Sequence, residues 1–176
     1  MTKINLFTAL KNADLTAISA QDAIKGLLDI RYLNSLRRFT KWTLFTDEAV
    51  TNDALKSTIE TITDTSIIIC NPNKESLYFD SIPELKNTQK QRSFQLEVYP
   101  IKETDHSDIL KKINKKSDIV FSKIKQHQFW ELGINSNTPI KPLMKEIENK
   151  IIVSSSISQG ILVNPLYENY SLSYQE

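Results

Sequence analysis

Apolar and polar residues alternate along two early segments of the chain, with a helical pattern between them. The alternation over residues 3–10 predicts a strand, because successive side chains of a strand point to opposite faces. Residues 36–46 predict a second strand in the same way. Between them, the run from Ser19 to Asp22 has the composition of a helix cap with an acidic first turn. The apolar stripe of this predicted helix consists of Ala20, Ile24, Leu27 and Leu28.

A second helix and a third strand are predicted next. Leu55, Ile59 and Ile62 recur at helical spacing, which predicts a helix over about residues 52–63. The apolar run over residues 66–70 predicts a strand that stops before Pro72, because proline has no N–H for a central ladder. The aromatic segment 77–79 is a candidate for one more strand.

The second half of the chain repeats this order. Strands are predicted over residues 94–101 and 118–132, the second with a break near Gln126, and a helix over residues 107–115. Thr138 and Pro139 predict the start of a further helix, since proline is tolerated in a first helical turn. The buried stripe of that helix would consist of Ile140, Leu143, Met144, Ile147 and Ile151.

One short phrase occurs in both halves, as Asn71-Pro72-x-x-Glu75 and as Asn164-Pro165-x-x-Glu168. Each copy follows an apolar run and precedes an aromatic segment. Upstream, superposing Trp42 on Trp130 also superposes Leu44 on Leu132, and residues two apart share one face of a strand. More residues separate the tryptophan from the Asn-Pro phrase in the second half than in the first. An enlarged polar loop at residues 154–160 would account for the extra residues. Such self-similarity indicates an internal duplication.

The predicted fold class is α+β, with two tandem β-α-β-α-β units that form ferredoxin-like layers and are related by a pseudo-twofold axis. The first repeat covers residues 1–80 and the second covers residues 93–176. Residues 81–92 have the polar composition of a linker. Units of this size bury only a marginal core, so the two are expected to pack on each other.

Composition and charge limit the kinds of partner and the cellular location that we expect for this chain. The net charge of +1 over 176 residues does not favour a nucleic-acid partner. No apolar run is long enough for a membrane span and no basic-then-apolar leader occurs, so we expect a cytoplasmic protein without a membrane partner. The single cysteine, Cys70, is interpreted as a buried small hydrophobe.

The motifs that support catalysis or cofactor binding are not found in this sequence. The glycines Gly26, Gly133 and Gly160 are too scattered to form a phosphate-binding loop. His106 and His127 fall in different elements without a metal-binding motif around them. We therefore predict no catalytic residues, no cofactor and no metal.

The element order and the repeated phrase resemble PurS, the small subunit of bacterial phosphoribosylformylglycinamidine synthase. The best local match is Leu162-Val163-Asn164-Pro165-Leu166-Tyr167-Glu168-Asn169-Tyr170, which is similar to the closing Leu-x-Asn-Pro-x-x-Glu-x-Tyr of that family. Arg38-Phe39-Thr40-Lys41 resembles the Arg-x-Gly-Lys on its second strand, with Thr40 in place of glycine. The second half has Lys125-Gln126-His127-Gln128 there, and the Asp-Pro-Gln-Gly of the family is missing from both halves.

This resemblance implies a specific function. A family subunit is a single unit that pairs with copies of itself, whereas this chain would carry the pair, as the N-terminal domain of the large single-chain enzyme does. The family acts in de novo purine (IMP) biosynthesis, where glutaminase and synthetase subunits carry out the chemistry. The implied role is that of a non-catalytic bridging subunit between these two partners, and self-association stays open.

The residues expected at the interface with those partners come from the matched segments. They are Arg38, Lys41, Trp42, Trp130, Asn71, Pro72, Asn164, Pro165 and Glu168. Arg38 and Lys41 form a basic cluster with Arg37, which is either a solvated face or a contact for an acidic partner surface or a nucleotide phosphate. Two alternatives remain open for the tryptophans, core packing and a ligand platform. The alternative function is a tandem small-ligand-binding regulatory module of the amino-acid-sensing type.

Overall fold

The computed structural model of the chain describes residues 1–84, 91–153 and 160–175. In the first half, strands and helices alternate as β1 Thr2–Leu10, α1 Leu15–Gly26, β2 Leu33–Thr46, α2 Asn52–Thr65 and β3 Glu75–Phe79. In the second half they alternate as β4 Arg92–Pro100, α3 Ser107–Asn114, β5 Lys123–Ile134, α4 Ile140–Ile147 and β6 Glu168–Gln175. A π-helical turn, Glu148–Ile152, extends α4.

The fold class is α+β, and the order β-α-β-α-β occurs twice along the chain. The six strands found in the described residues form one antiparallel sheet in the order β3-β1-β2-β5-β4-β6. From one edge to the centre the order is β3, β1, β2, and from the other edge to the centre it is β6, β4, β5. Each series consists of the third, the first and the second strand of one half of the chain. The predicted alternation of strands and helices is therefore confirmed.

The ladder registers of the two halves match residue by residue. Trp42 on β2 lies opposite Leu6 on β1, and Trp130 on β5 lies opposite Leu96 on β4. Two positions further on, Leu44 lies opposite Ile4, and Leu132 lies opposite Phe94. The two tryptophans thus occupy corresponding positions in their ladders.

The chain divides into two compact units that do not coincide with the sequence repeats. Unit 1 contains Met1–Asn12, Phe39–Pro83 and Glu103–His127, and unit 2 contains Ala13–Arg38, Glu84–Lys102 and Gln128–Glu176. Each unit takes segments from both halves of the chain. The repeat boundaries at residues 80 and 93 remain predictions from the sequence.

Each unit has its own apolar core. In unit 1, α2 and α3 pack with β1 and β2 through Ile4, Leu6, Trp42, Leu44, Leu55, Ile59, Ile62 and Ile113. In unit 2, α1 and α4 pack with β4 and β5 through Ala17, Ile24, Phe94, Leu96, Trp130, Leu132, Leu143 and Ile147. The helices that complete each core therefore come from different halves of the chain.

The start of α1 corrects the sequence prediction. The cap is Asp14, whose carboxylate accepts hydrogen bonds from the backbone N–H groups of Thr16 (3.0 Å) and Ala17 (3.2 Å). Ser19 and the three residues after it lie inside the helix. The prediction was wrong because Asp14 caps a helix as well as serine does and lies five residues before Ser19.

Three other predicted boundaries shift. The run over residues 66–70 is not a strand, although Ile69 and Cys70 are buried, and the third strand is the later segment β3, which contains the candidate strand 77–79. β5 begins at Lys123 rather than at residue 118, and α4 begins at Ile140, with Pro139 rather than Thr138 at its cap position. The apolar composition of residues 66–70 indicates burial, and a segment without secondary structure can also be buried. Residues 154–159 of the predicted polar loop and residues 85–90 of the predicted linker lie outside the described residues, and Arg92 already begins β4.

Candidate functional site

The two Asn-Pro-x-x-Glu phrases form the same hydrogen-bonded turn. In each, the glutamate carboxylate accepts a hydrogen bond from the backbone N–H of the asparagine, at 2.8 Å for Glu75 and Asn71 and at 2.8 Å for Glu168 and Asn164. In each, the asparagine carbonyl accepts hydrogen bonds from the backbone N–H groups three and four residues later, at 2.8 to 3.0 Å. The duplicated sequence thus has a duplicated local geometry.

The asparagine and the proline both have a structural role in these turns. The side-chain oxygen of Asn71 accepts from the N–H of Asn73, and that of Asn164 accepts from the N–H of Leu166, each at 3.1 Å. These are Asx turns, and proline at the next position presets the backbone for a tight turn. Because β3 and β6 begin at the glutamates, each turn feeds the chain into a strand at an edge of the sheet.

The surfaces of the two turns differ in polarity. At the first turn, the Lys11 amine donates to the carbonyl of Pro72 (2.6 Å), and Lys74 is exposed. At the second turn, Leu166 and Tyr167 are 77% and 69% exposed. A binding role for the turns would therefore differ between the two halves.

The two tryptophans are core residues. Trp42 is 6% exposed in unit 1, and Trp130 is 3% exposed in unit 2. The indole nitrogen of each is buried without a hydrogen-bond partner among the described residues. Trp42 also contacts His106 edge to face, with 6.2 Å between the ring centroids. Of the two alternatives, burial favours packing over a ligand platform.

Arg37 and Arg38 of the predicted basic cluster each pair with a carboxylate in unit 2. Arg38 donates two hydrogen bonds to the carboxylate of Asp14, at 2.9 and 3.2 Å, within unit 2. Lys41 lies in unit 1, with its amine 6.0 Å from the centroid of the Phe7 ring. Arg38 therefore supports the start of α1.

A buried carboxylate that sequence reasoning missed lies in unit 2. Glu131 is 2% exposed and forms an ion pair with Arg37, with a hydrogen bond from the hydroxyl of Ser93 (2.8 Å). A buried charge is tolerated when it is paired and hydrogen-bonded in this way. The only signal in the sequence is a glutamate inside the apolar run from Phe129 to Leu132. The partner of Glu131 is distant in sequence, so the pair could not be inferred.

Unit 1 contains an open cleft of about 300 Å³ at the start of α3. Glu103 lies on its wall and forms ion pairs with Lys123 (2.8 Å) and Lys125 (3.2 Å). Hydrogen bonds from these two lysines hold the pKa of the Glu103 carboxyl below its usual value. The wall therefore carries both signs of charge. The lining residues are Glu103, Thr104, Asp105, His106, Ser107, Leu110, Ser122, Lys123 and Ile124.

Asp105 organises the start of α3 in this cleft. Its carboxylate accepts a hydrogen bond from the backbone N–H of Ser107 at 2.8 Å, and this bond lowers the pKa of Asp105. His106 occupies the cap position of α3. Sequence reasoning weighed His106 only as a metal ligand, so the cleft was not found.

Cys70 is buried, as the sequence predicts. Burial raises the pKa of its thiol, and the charge of Glu75 adds to that effect. A thiol with a raised pKa stays protonated near neutral pH and is a poor nucleophile.

Comparisons with known proteins give no assignment. Neither protein-family models, nor curated proteins, nor solved structures show a significant match to the chain. Within residues 1–84, 91–153 and 160–175, no group of three His, Cys, Asp or Glu side chains is arranged to hold a metal ion. None of the described helices is both long and apolar enough to cross a membrane.

Proposed function

We propose that this chain is a non-catalytic bridging subunit of phosphoribosylformylglycinamidine synthase, a tandem PurS-like protein that joins glutaminase and synthetase subunits in purine biosynthesis. The observation that carries the proposal is the pair of identical turns, in which Glu75 and Glu168 close onto Asn71 and Asn164. These turns reproduce in both halves the segment that resembles the end of a PurS subunit.

The sheet supports a tandem arrangement. Its strand order has the third, first and second strand of each half, counted from the two ends. Trp42 and Trp130 hold corresponding ladder positions opposite Leu6 and Leu96. A pseudo-twofold relation between the halves would produce both features, and a single chain would then correspond to a pair of PurS subunits.

The use of the carboxylates supports a non-catalytic role. Asp14 caps α1, Glu131 pairs with Arg37, and Glu75 and Glu168 close the two turns. Carboxylates held in such contacts serve the fold. The chemistry would then belong to the partner subunits, and this chain would act by bringing them close enough to prevent loss of ammonia.

Reconstitution tests this proposal. The purified chain is mixed with the synthetase and glutaminase subunits of the same organism, and glutamine-dependent amidine formation is measured. We expect activity only when all three proteins are present. Activity that is the same without this chain, or no association with either subunit, would overturn the proposal.

A charge-reversal pair sharpens that test. Lys41→Glu is expected to weaken assembly, and more so at low salt than at high salt, because salt screens the attraction between charged protein surfaces. Lys112→Glu, on the exposed side of α3, is the matched control and should leave assembly unchanged. Arg38 is not suitable for this test, since its replacement would also disturb the cap of α1.

The cleft in unit 1 favours a second candidate, a ligand-binding regulatory module. Its volume of about 300 Å³ and its wall of mixed charge, with Glu103 and Lys123, suit a small zwitterion such as an amino acid. Calorimetry of the isolated chain with the individual amino acids discriminates the two candidates. Tight binding of one amino acid without association to either subunit would favour the regulatory module.

A further inference from the structure

The strand β6 lies at one edge of the sheet. Among the described residues it pairs only with β4, from Glu168 opposite Pro100 to Gln175 opposite Ser93. Within the described part of the chain, the outer backbone N–H and C=O groups of β6 face no other strand, which is the arrangement that an added strand can use. Its side chains alternate between half-buried and exposed along all eight residues.

The edge at β6 lacks the devices that discourage strand pairing. Of its eight residues only Glu168, at the start, is charged, and the strand contains neither lysine nor proline. The opposite edge strand, β3, differs. It has five residues, and beside its last residue Lys56 lies 6.0 Å from the Phe79 ring and forms an ion pair with Asp80. Short length and nearby charge protect an edge, so β6 is the edge left open.

The sequence of β6 is nearly palindromic about Leu172. Leu172 is flanked by one serine on each side, then by one tyrosine on each side, and then by one residue with a side-chain amide on each side. In order, these pairs are Ser171 and Ser173, Tyr170 and Tyr174, and Asn169 and Gln175. When two identical strands pair antiparallel about one central residue, a residue that precedes the centre in one copy lies opposite the residue that follows the centre by the same number of positions in the other copy. In β6 that arrangement pairs like with like over seven residues.

We propose that two copies of this chain associate through antiparallel β6 strands, centred on Leu172. Ser171 would lie opposite the partner's Ser173, where the hydroxyls can hydrogen-bond across the strands, and Tyr170 would lie opposite the partner's Tyr174. No charged side chain faces another one within the seven paired residues. The interface is the same patch on both copies, as a twofold-symmetric dimer requires. This dimer does not depend on the function proposed above.

Sedimentation of the full chain and two variants tests the dimer. The wild-type chain of 20.2 kDa should sediment with a mass that rises toward twice that value with concentration. Ser171→Lys with Ser173→Lys places lysines opposite lysines and should weaken association at least about tenfold. Ser171→Lys with Ser173→Glu places opposite charges face to face and should retain or strengthen it.

The second variant is a matched control for the first. Both carry Lys at position 171, beside Glu97 on β4, so they differ only at position 173. Since both serines are exposed, both variants should keep the wild-type circular dichroism, and at concentrations where all three proteins are monomeric they should keep the wild-type unfolding midpoint. A monomeric wild-type chain at every concentration, or equal association of the two variants, would overturn the proposal.

Cysteine cross-linking tests the register. In the proposed pairing, Ser171→Cys on one copy faces Ser173→Cys on the other, so an oxidised mixture of the two single variants should give a disulfide-linked dimer. Ser76→Cys on β3 is the control on the other edge and should stay uncross-linked, as should the wild type with its buried Cys70. Cross-linking of the Ser76 variant at the rate of the mixture would refute the assigned edge.

Discussion

The carboxylate of Asp14 binds the guanidinium of Arg38 through two hydrogen bonds of 2.9 and 3.2 Å while it caps α1. One side chain thus ties the start of a helix to the second strand. Asp14 and Arg38 are mostly buried, at 17% and 30% side-chain exposure, so the contact is only partly screened by solvent.

Replacing Asp14 by alanine should lower the free energy of unfolding by about 1–2 kcal/mol, because the backbone N–H groups of Thr16 and Ala17 lose their acceptor. Asp14→Asn keeps a capping oxygen and loses the charge, so it should cost less. Urea denaturation measures both variants. Equal stability of Asp14→Ala and the wild type would show that the cap contributes nothing.

The duplicated turns predict paired effects. Glu75→Ala and Glu168→Ala should each reduce the free energy of unfolding by about 1 kcal/mol, since each leaves an asparagine N–H without its acceptor. The loss should be larger for Glu75, whose hydrogen bond is partly buried.

Glutamine at the same positions is the control for these turns. Its side-chain oxygen can still accept from Asn71 or Asn164, so Glu75→Gln and Glu168→Gln should stay near the wild-type unfolding midpoint. A turn that tolerates alanine as well as glutamine would indicate that the hydrogen bond is unimportant there.

Tyr170 should titrate abnormally. Burial, together with the hydrogen bond it donates to Glu148 and the charge of that carboxylate, raises the pKa of Tyr170 from 10.0 to about 12. The folded state therefore holds the phenolic proton more tightly than the unfolded state. The resulting stability is fully present below pH 10.0 and is lost as the pH rises toward about 12.

Ultraviolet absorbance of the phenolate, compared between the wild type and Tyr170→Phe, isolates this titration. Glu148→Gln removes the charge that helps to keep the proton on Tyr170. In this variant the phenolate of Tyr170 should therefore form at lower pH than in the wild type. An unchanged midpoint in Glu148→Gln would show that the charge of Glu148 does not contribute, since glutamine can still accept the hydrogen bond from Tyr170.

The composition of the two units predicts that neither half of the chain folds alone. Unit 1 needs residues 103–127 from the second half, and unit 2 needs residues 13–38 from the first. Fragments 1–84 and 91–176 should each show little cooperative unfolding when expressed separately. Mixed in equal amounts, they should regain the circular dichroism of the intact chain. A cooperatively folded single fragment would contradict this expectation.

The order of strands and helices could be read from the sequence because it depends on local periodicity. The turns were also visible, since asparagine and proline favour them for local reasons. The start of α1 was missed because Ser19 and Asp14 are both plausible caps, and tertiary packing decides between them. The apolar run over residues 66–70 was misread because burial of Ile69 and Cys70 occurs there without strand pairing.

The parts that sequence could not provide are those that depend on distant partners. Arg37 and Glu131 are 94 positions apart, and no local pattern joins them. The cleft beside His106 likewise depends on residues that are separated along the chain. Among them are Glu103, which precedes α3, and Lys123, which begins β5. The assignment of α3 to the core of unit 1 is equally non-local.

The interleaving of the units has a consequence for biosynthesis on the ribosome. Unit 1 lacks its last segment until His127 has left the exit tunnel, although its first strand was made more than a hundred residues earlier. Domains usually fold in order as they emerge, but here β1, β2 and α2 must wait with an incomplete core. Nascent chains of this protein should therefore expose apolar surface for most of translation and depend on chaperones that hold such chains.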